Sequence, residues 1–248
     1  EAPLVNARIR KAWLDNLGLK IGVVGEALDL TYEYSHLGAG PDNLDGLDPA
    51  FADAFKAAER PMIIVGMGVL TRADAPAILA KLADLAATAG VVTEGWNGFN
   101  VLHTAAARVG ALDLGFLPGE GGKATADILD GAASGDIEVV FNLGADEIDA
   151  ARLQNAFVIY QGHHGDAGAH VADVIFPAAA YTEQHGIYVN TEGRVQMANR
   201  AYFPFGDARE DWAILRAFSA KLDKALPYDD LFALRQAVIA DAPVLAGI

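Results

Sequence analysis

Apolar and polar positions along the chain follow two periods in turn. Pro61-Met-Ile-Ile-Val-Gly66 is a short apolar run ended by glycine, the form of a buried strand. Ala75, Ile78, Leu79, Leu82 and Leu85 then fall on one helical face, Gly90 ends the stripe, and Val91-Val92 opens the next strand. This spacing predicts a strand–helix–strand unit, which implies parallel pairing with a right-handed crossover. Thr71-Arg-Ala-Asp74 has the form of a capping box for that helix, with Asp in place of Glu. Upstream, Leu19–Gly25 reads as a buried strand. Leu30, Tyr32 and Tyr34 alternate in a weakly strand-like way, and Gly38–Asn43 reads as a loop. Asp48-Pro49 supplies an N-cap and a first helical position ahead of Phe51, Phe55 and Ala58.

Downstream, residues 96–109 mix aromatics and glycine around a predicted short helix, and 112–122 reads as a loop. A short helix over 124–131 precedes strands at Ile137–Leu143, Phe157–Tyr160 and Asp173–Phe176, the last ended by Pro177. Asp207 and Glu210 read as a capping box ahead of Trp212, Leu215, Ser219 and Leu222. Lys221 and Lys224 lie where the helix dipole favours cations. A last helix starts at Tyr228-Asp229, with Leu231, Leu234 and Val238 inward. Taken as a whole, residues 159–194, which overlap two of these strands, follow neither period. They hold four of the six histidines, at 163, 164, 170 and 185, among glycines and carboxylates. Such a stretch predicts short strands and shaped loops.

Composition narrows the classes. The 248 residues are 52% hydrophobic and 21% charged, enough for a large core in two lobes. The net charge of −15, with no long basic cluster, argues against nucleic acid as a partner and against anionic membrane surfaces. No apolar run reaches the roughly 20 residues that a membrane helix needs, so direct membrane insertion is not expected. The chain has no cysteine. Disulfides, thiolate zinc sites, a cysteine nucleophile and cysteine-ligated iron–sulfur clusters are therefore excluded within it. The opening Glu1-Ala-Pro-Leu-Val-Asn6 reads as part of a longer polypeptide.

Several residue sets invite chemistry, and each has a plainer reading. Gly66-x-Gly68 lies between a strand and a helix, as in dinucleotide-binding turns. The third glycine of that motif would fall at Thr71, however, and Glu94 is only a loose ribose-binding candidate. His163, His164, Asp166 and His170 are metal-ligand types without ligand spacing. In an extended segment the adjacent histidines would point to opposite sides, and the plainer reading has the imidazoles bonding backbone in a glycine-shaped loop. Glu183, His185 and Glu192 could form an acid–base set, whereas Glu192 and Arg194 read as an ion pair fixing the turn at Gly193. Ser35, Ser134 and Ser219 lie in no nucleophile-elbow context. No catalytic, cofactor-binding or metal-ligating residue is assigned on these grounds.

Two segments carry a family resemblance: Ala172-Asp-Val-Ile-Phe-Pro-Ala-Ala-Ala-Tyr-Thr-Glu183 and Tyr188-Val-Asn-Thr-Glu-Gly-Arg-Val-Gln196. Their pattern resembles the molybdopterin oxidoreductase superfamily. Tyr160–Ala169, Trp96–His103, Ala111–Gly115 and Ala208–Trp212 narrow it further, being similar to the large iron–sulfur subunit of NADH–quinone oxidoreductase, respiratory complex I. The resemblance implies an α/β fold with parallel-sheet, Rossmann-like lobes of the molybdopterin oxidoreductase type and C-terminal helices. The expected organisation is 1–48, strand and loop; 49–199, the main α/β region; and 200–248, helices.

The resemblance also implies that the parent subunit carries 2Fe-2S and 4Fe-4S clusters on cysteines in a region ahead of Glu1. This segment would then be a cofactor-free scaffold for other peripheral-arm subunits, on the cytoplasmic or matrix side of an energy-transducing membrane. Two alternatives stand beside it. One is part of a true molybdopterin enzyme, formate dehydrogenase-like, with some of its pterin site between residues 144 and 194. The other is a metal module on His163, His164 and His170.

Overall fold

The computed structural model describes residues 2–247. The chain forms two compact units, Glu1–Ala105 and Ala106–Ile248. Each contains a short parallel pairing and a helix that covers it.

In the first unit, α1 (Pro3–Asp15) precedes β1 (Gly22–Val23) and β2 (Ser35–His36), which pair in parallel. The predicted strand at Leu19–Gly25 thus shrinks to two residues. Residues 29–34 form no strand, because side-chain bonds hold that segment: Tyr34 Oη donates to Leu28 O at 2.6 Å, and Tyr32 Oη to Asn6 Oδ1 at 2.5 Å. Part of the predicted 38–43 loop winds into a 3-10 turn, Pro41–Gly46. α2 (Pro49–Ala57) starts as predicted, with Asp48 Oδ1 accepting from Phe51 N at 3.0 Å. Phe51 and Phe55 stack one turn apart, with centroids 6.3 Å from each other.

β3 (Ile63–Val65) leads through the one-turn helix α3 (Met67–Leu70) to α4 (Ala75–Ala89). The helical stripe is largely as read: Ala75, Ile78, Leu82, Ala86 and Ala89 are buried, while Leu79 and Leu85 are partly covered. Gly90 caps the helix in the left-handed region, at φ 64°. The capping box at Thr71–Asp74 does not form. Thr71 Oγ1 donates to Gly68 O, and Asp74 is drawn to Arg72, with two contacts of 2.7 Å.

The parallel partner of β3 also differs from expectation. Val92 belongs to β4 (Val92–Thr93), which turns at Glu94-Gly95 and pairs antiparallel with β5 (Trp96–Asn97). β3 pairs instead with β6 (Phe99–Val101), inside the segment 96–109 for which only a short helix is predicted. Three residues are too few to show a period, and the Glu-Gly turn signal lay ahead of them. Gly98 is required at this junction, because a Cβ there would meet Pro61 O and the Trp96 indole nitrogen. Ile78 and Leu82 cover Val65, and Ala86 and Ala89 pack with Val91 against Ile63 and Phe99.

In the second unit, α5 (Arg108–Asp113) begins later than the predicted short helix and runs into the segment read as loop, and α6 (Thr125–Ser134) follows. A three-stranded parallel sheet comes next: β7 (Val139–Leu143), β8 (Phe157–Gly162) and, after the one-turn helix α7 (Ala167–His170), β9 (Val174–Pro177). β8 is central; Phe141 sits opposite Ile159, and Ile159 opposite Val174. Leu129 and Ala132 of α6, with Leu153, bury the face that carries Val158. On the other face, Phe141, Phe176 and Phe218 form an aromatic triad with centroids 5.6–6.3 Å apart. All three strands that were read from their apolar runs are present, in parallel.

Phe218 lies on α8 (Asp211–Lys221), which starts four residues after the predicted cap at Asp207. Glu210 is not free to close a capping box, because its carboxylate accepts from Arg200 and from Trp212 Nε1. Leu222, expected inward, is 57% exposed at the helix end. α9 (Leu231–Asp241) is capped by Asp230, whose Oδ1 accepts from Ala233 N at 2.7 Å.

The hairpin of β10 (Gly186–Val189) and β11 (Val195–Ala198) buries Val189 with Ala242 and Leu245. Its Asn-Thr-Glu-Gly-Arg loop is closed mainly by Asn190. Asn190 Oδ1 accepts from Glu192 N at 3.0 Å and Arg194 N at 2.9 Å, and Gly193 sits at φ 76°. The expected Glu192–Arg194 pair is present at 3.5 Å, but the two side chains are 42% and 68% exposed. An ion pair so open to water is worth little. Asn190→Ala is therefore expected to destabilise the protein by about 1–2 kcal/mol, and Arg194→Ala by less than about 1 kcal/mol. Urea denaturation of both variants measures the order, and a larger loss for Arg194→Ala contradicts it.

Candidate functional site

The end of β8 gathers the residues that looked most like chemistry. Tyr160 is buried within the strand, and its hydroxyl donates to Asp166 Oδ2 at 2.6 Å. The phenol ring lies where side chains at 162 and 168 would be: a Cβ at either glycine would run into it. Asp166 also caps α7, its other oxygen accepting from Gly168 N at 3.0 Å and Ala169 N at 3.3 Å. One carboxylate thus ties the strand to the following turn. Burial, and then the neighbouring carboxylate, push the Tyr160 phenol well above its ordinary range. The hydrogen bond from Tyr160 and the two backbone N–H donors hold Asp166 below the usual aspartate range, with a smaller contribution from His164.

The histidines take another arrangement. His163 and His164 lie in a bend and not in an extended segment, so their rings meet edge to face, 4.4 Å between centroids, and do not diverge. Both are exposed, and His170 is exposed at the end of α7. Among the described residues no group of three or more His, Asp or Glu side chains has metal-holding geometry.

The neighbouring strand ends are closed in the same way. Asn142, buried on β7, donates from Nδ2 to Ala145 O at 2.8 Å and accepts Ala145 N at 3.0 Å. Gln161 is fully buried and donates to Asp211 Oδ1 at 2.8 Å, tying β8 to the start of α8. Past β9, Ala178 bridges to Arg209 in parallel.

The other candidate sets are not brought together as chemistry would require. Glu183 Oε2 accepts from Ala180 N at 3.1 Å, His185 Nδ1 accepts from Arg200 N at 3.3 Å, and Glu192 pairs with Arg194. Each is engaged at a different backbone turn or side chain. Gly66 begins α3, and Glu94 sits in the β4–β5 turn, not at the end of a parallel strand where a ribose would lie. Ser134 and Ser219 donate to the carbonyls of Gly131 and Arg216.

Sequence reasoning missed the Tyr160–Asp166 tie. Its signal was Asp166 directly ahead of Ala-Gly-Ala, an N-cap followed by small residues, with Tyr160 two positions before a glycine. Removing the phenol hydroxyl by Tyr160→Phe is expected to lower the thermal midpoint by a few degrees at pH 7. Because the folded protein depresses the Asp166 pKa, that stabilisation is complete above about pH 4 and is lost as the pH falls through the lower folded-state value. The gap between wild type and variant, followed by circular dichroism on heating, is expected to narrow at about pH 3. An equal gap at both pH values contradicts the assignment.

Comparison with known proteins places this architecture. The chain is 47% identical over 252 residues to the NADH-ubiquinone oxidoreductase 78 kDa subunit, mitochondrial, of Neurospora crassa, covering 100% of this chain and 32% of that protein. It is 44% identical over 253 residues to the NADH dehydrogenase [ubiquinone] iron-sulfur protein 1, mitochondrial, of Solanum tuberosum, covering 100% of this chain and 33% of that protein. The chain thus spans about one third of the length of these relatives. Among solved structures, acetylene hydratase from Pelobacter acetylenicus superposes with a TM-score of 0.60 over 81% of this chain and 37% of that one, at 14% identity, a likeness of fold alone. The model of the molybdopterin oxidoreductase family matches residues 1–221, and the chain belongs to that family.

Proposed function

We propose that this chain is a structural, cofactor-free part of the large iron–sulfur subunit of an NADH–ubiquinone oxidoreductase, whose whole assembly passes electrons from NADH to quinone. The observation that carries the reading is identity of 44–47% along the whole chain to two such subunits. Acetylene hydratase, whose fold is similar, stands at only 14%. The clusters belong, in this reading, to a cysteine-bearing region of the parent, because a chain without cysteine offers no thiolate for them.

In this reading the ends of β7 and β8 hold no pterin, because most of their buried polar side chains are already engaged. Asn142 is committed to Ala145, Tyr160 to Asp166 and the Gln161 amide nitrogen to Asp211, which leaves the buried Gln161 Oε1 without a partner. The partners are other peripheral-arm subunits, on the matrix or cytoplasmic side of the energy-transducing membrane. No helix among the described residues is long and apolar enough to cross a membrane.

Metal analysis of the full-length parent purified in its assembly tests the reading. The expected result is iron without stoichiometric molybdenum or tungsten, in a preparation that oxidises NADH with ubiquinone as acceptor. Stoichiometric molybdenum or tungsten overturns it in favour of a true molybdopterin enzyme, formate dehydrogenase-like, as does a parent absent from any NADH-oxidising complex.

A further inference from the structure

Beside the Arg200–Glu210 pair lies a cleft of about 510 Å³, with Phe203, Pro204, Trp212 and Leu231 among its walls. Its polar groups are unevenly spent. Glu210 lines it, but one carboxylate oxygen accepts from Arg200 Nη1 at 3.2 Å and the other from Trp212 Nε1 at 2.8 Å. His185 Nδ1 is occupied by Arg200 N. Arg200 stacks over Phe203, its guanidinium carbon 4.2 Å from the ring centroid.

Arg209 is different. Its Nη1 donates to Ala208 O at 2.8 Å and Gly206 O at 3.4 Å, and the residue is exposed. Its remaining guanidinium donors, Nε and Nη2, have no partner among the described residues. The open capacity of the cleft is therefore a planar cationic donor between apolar walls. That geometry matches a carboxylate flanked by an apolar side chain.

Phe203 of the cleft wall belongs to a short run of three exposed aromatic side chains: Tyr202, Phe203 and Phe205 are 61%, 69% and 70% exposed. Tyr202 and Phe205 stack on each other, 5.3 Å between centroids. The run is held at both ends. Ala201 N and Tyr202 N donate to Thr182 O, and Arg209 pairs with the end of β9 through its N–H to Pro177 O and its carbonyl to Ala179 N. Exposed aromatics beside arginine, on a fixed loop, are the residue types that dominate protein–protein hot spots. On a chain of net charge −15, an exposed unpaired arginine among them selects a partner that is acidic at that point.

We propose that the aromatic loop 202–205 and Arg209 form a docking surface for a neighbouring subunit. The partner would insert an apolar side chain into the cleft and place an adjacent Asp or Glu on the Arg209 guanidinium. The inference rests on the scaffold reading above and names where that scaffold is gripped.

The test uses the full-length parent in its native assembly. p-Benzoylphenylalanine placed at Phe205 is photolysed and the cross-link is mapped. It is expected in another subunit, within a few residues of a carboxylate beside an apolar side chain. Arg209→Glu is expected to reduce retention of the parent in the assembly at least about tenfold on native gels, and replacing the mapped partner carboxylate with lysine is expected to restore it.

Cross-links confined to the parent's own chain, wild-type retention of Arg209→Glu, or failure of the charge swap to restore a lost assembly each overturn the docking surface. A wild-type parent missing from the NADH-oxidising assembly sinks the scaffold reading and this inference together. A wild-type parent in place with an unaffected variant sinks this inference alone.

Discussion

The second unit turns on one buried phenol. Tyr160 is on the central strand of the only three-stranded parallel sheet among the described residues, with a glycine on each side of its ring and a carboxylate on its hydroxyl. A parallel strand must leave the sheet through a loop before the next can enter, and the exit exposes backbone groups that need partners. Asp166 meets that need by accepting the phenol hydroxyl and two N–H groups of α7 together. Gly162 and Gly168 are required because the aromatic ring occupies the space where their side chains would be. The exit of β8 into α7 is therefore held by packing and hydrogen bonding at one residue.

The same economy recurs at the neighbouring strand ends. In the doubly wound α/β folds these ends commonly receive ligands, but here amide and carboxylate side chains bind backbone or one another. Asn142 holds the turn after β7, Gln161 reaches the first residue of α8, and Asn190 holds the β10–β11 loop. Polar side chains committed in this way hold the strand exits in one conformation. On the surface, open donor capacity lies at Arg209, which lines the same cleft as the exposed Phe203.

Much of the architecture was legible from the chain. The helical stripe from Ala75 to Leu85, the cap at Asp48, the stop at Gly90 and the strands at 137–143, 157–160 and 173–176 are read from period, cap and turn chemistry, and the structure has the helix at 75–89 and the strands at 139–143, 157–162 and 174–177. The two capping-box failures share a cause. Thr71–Asp74 and Asp207–Glu210 carry the letters of capping boxes, yet Asp74 is taken by Arg72, and Glu210 by Arg200 and Trp212. A local motif states what a side chain could bond. Competing partners decide what it does bond, and Arg200 is ten residues from Glu210 in sequence.

The site divides along the same line. By itself the sequence determined the family, through its segments between Trp96 and Trp212, and it excluded thiolate chemistry by carrying no cysteine. It determined the parallel α/β class through short apolar runs bounded by glycine and proline. Only the tertiary structure decided which strand pairs with β3, because three residues at 99–101 show no period and their pairing is fixed by Gly98 and the covering helix α4. Only the tertiary structure showed Asp166 capping α7 and holding the Tyr160 hydroxyl, with His163, His164 and His170 exposed around it. Residue type sets what a side chain can bind, whereas direction and distance, which depend on the whole fold, set what it reaches.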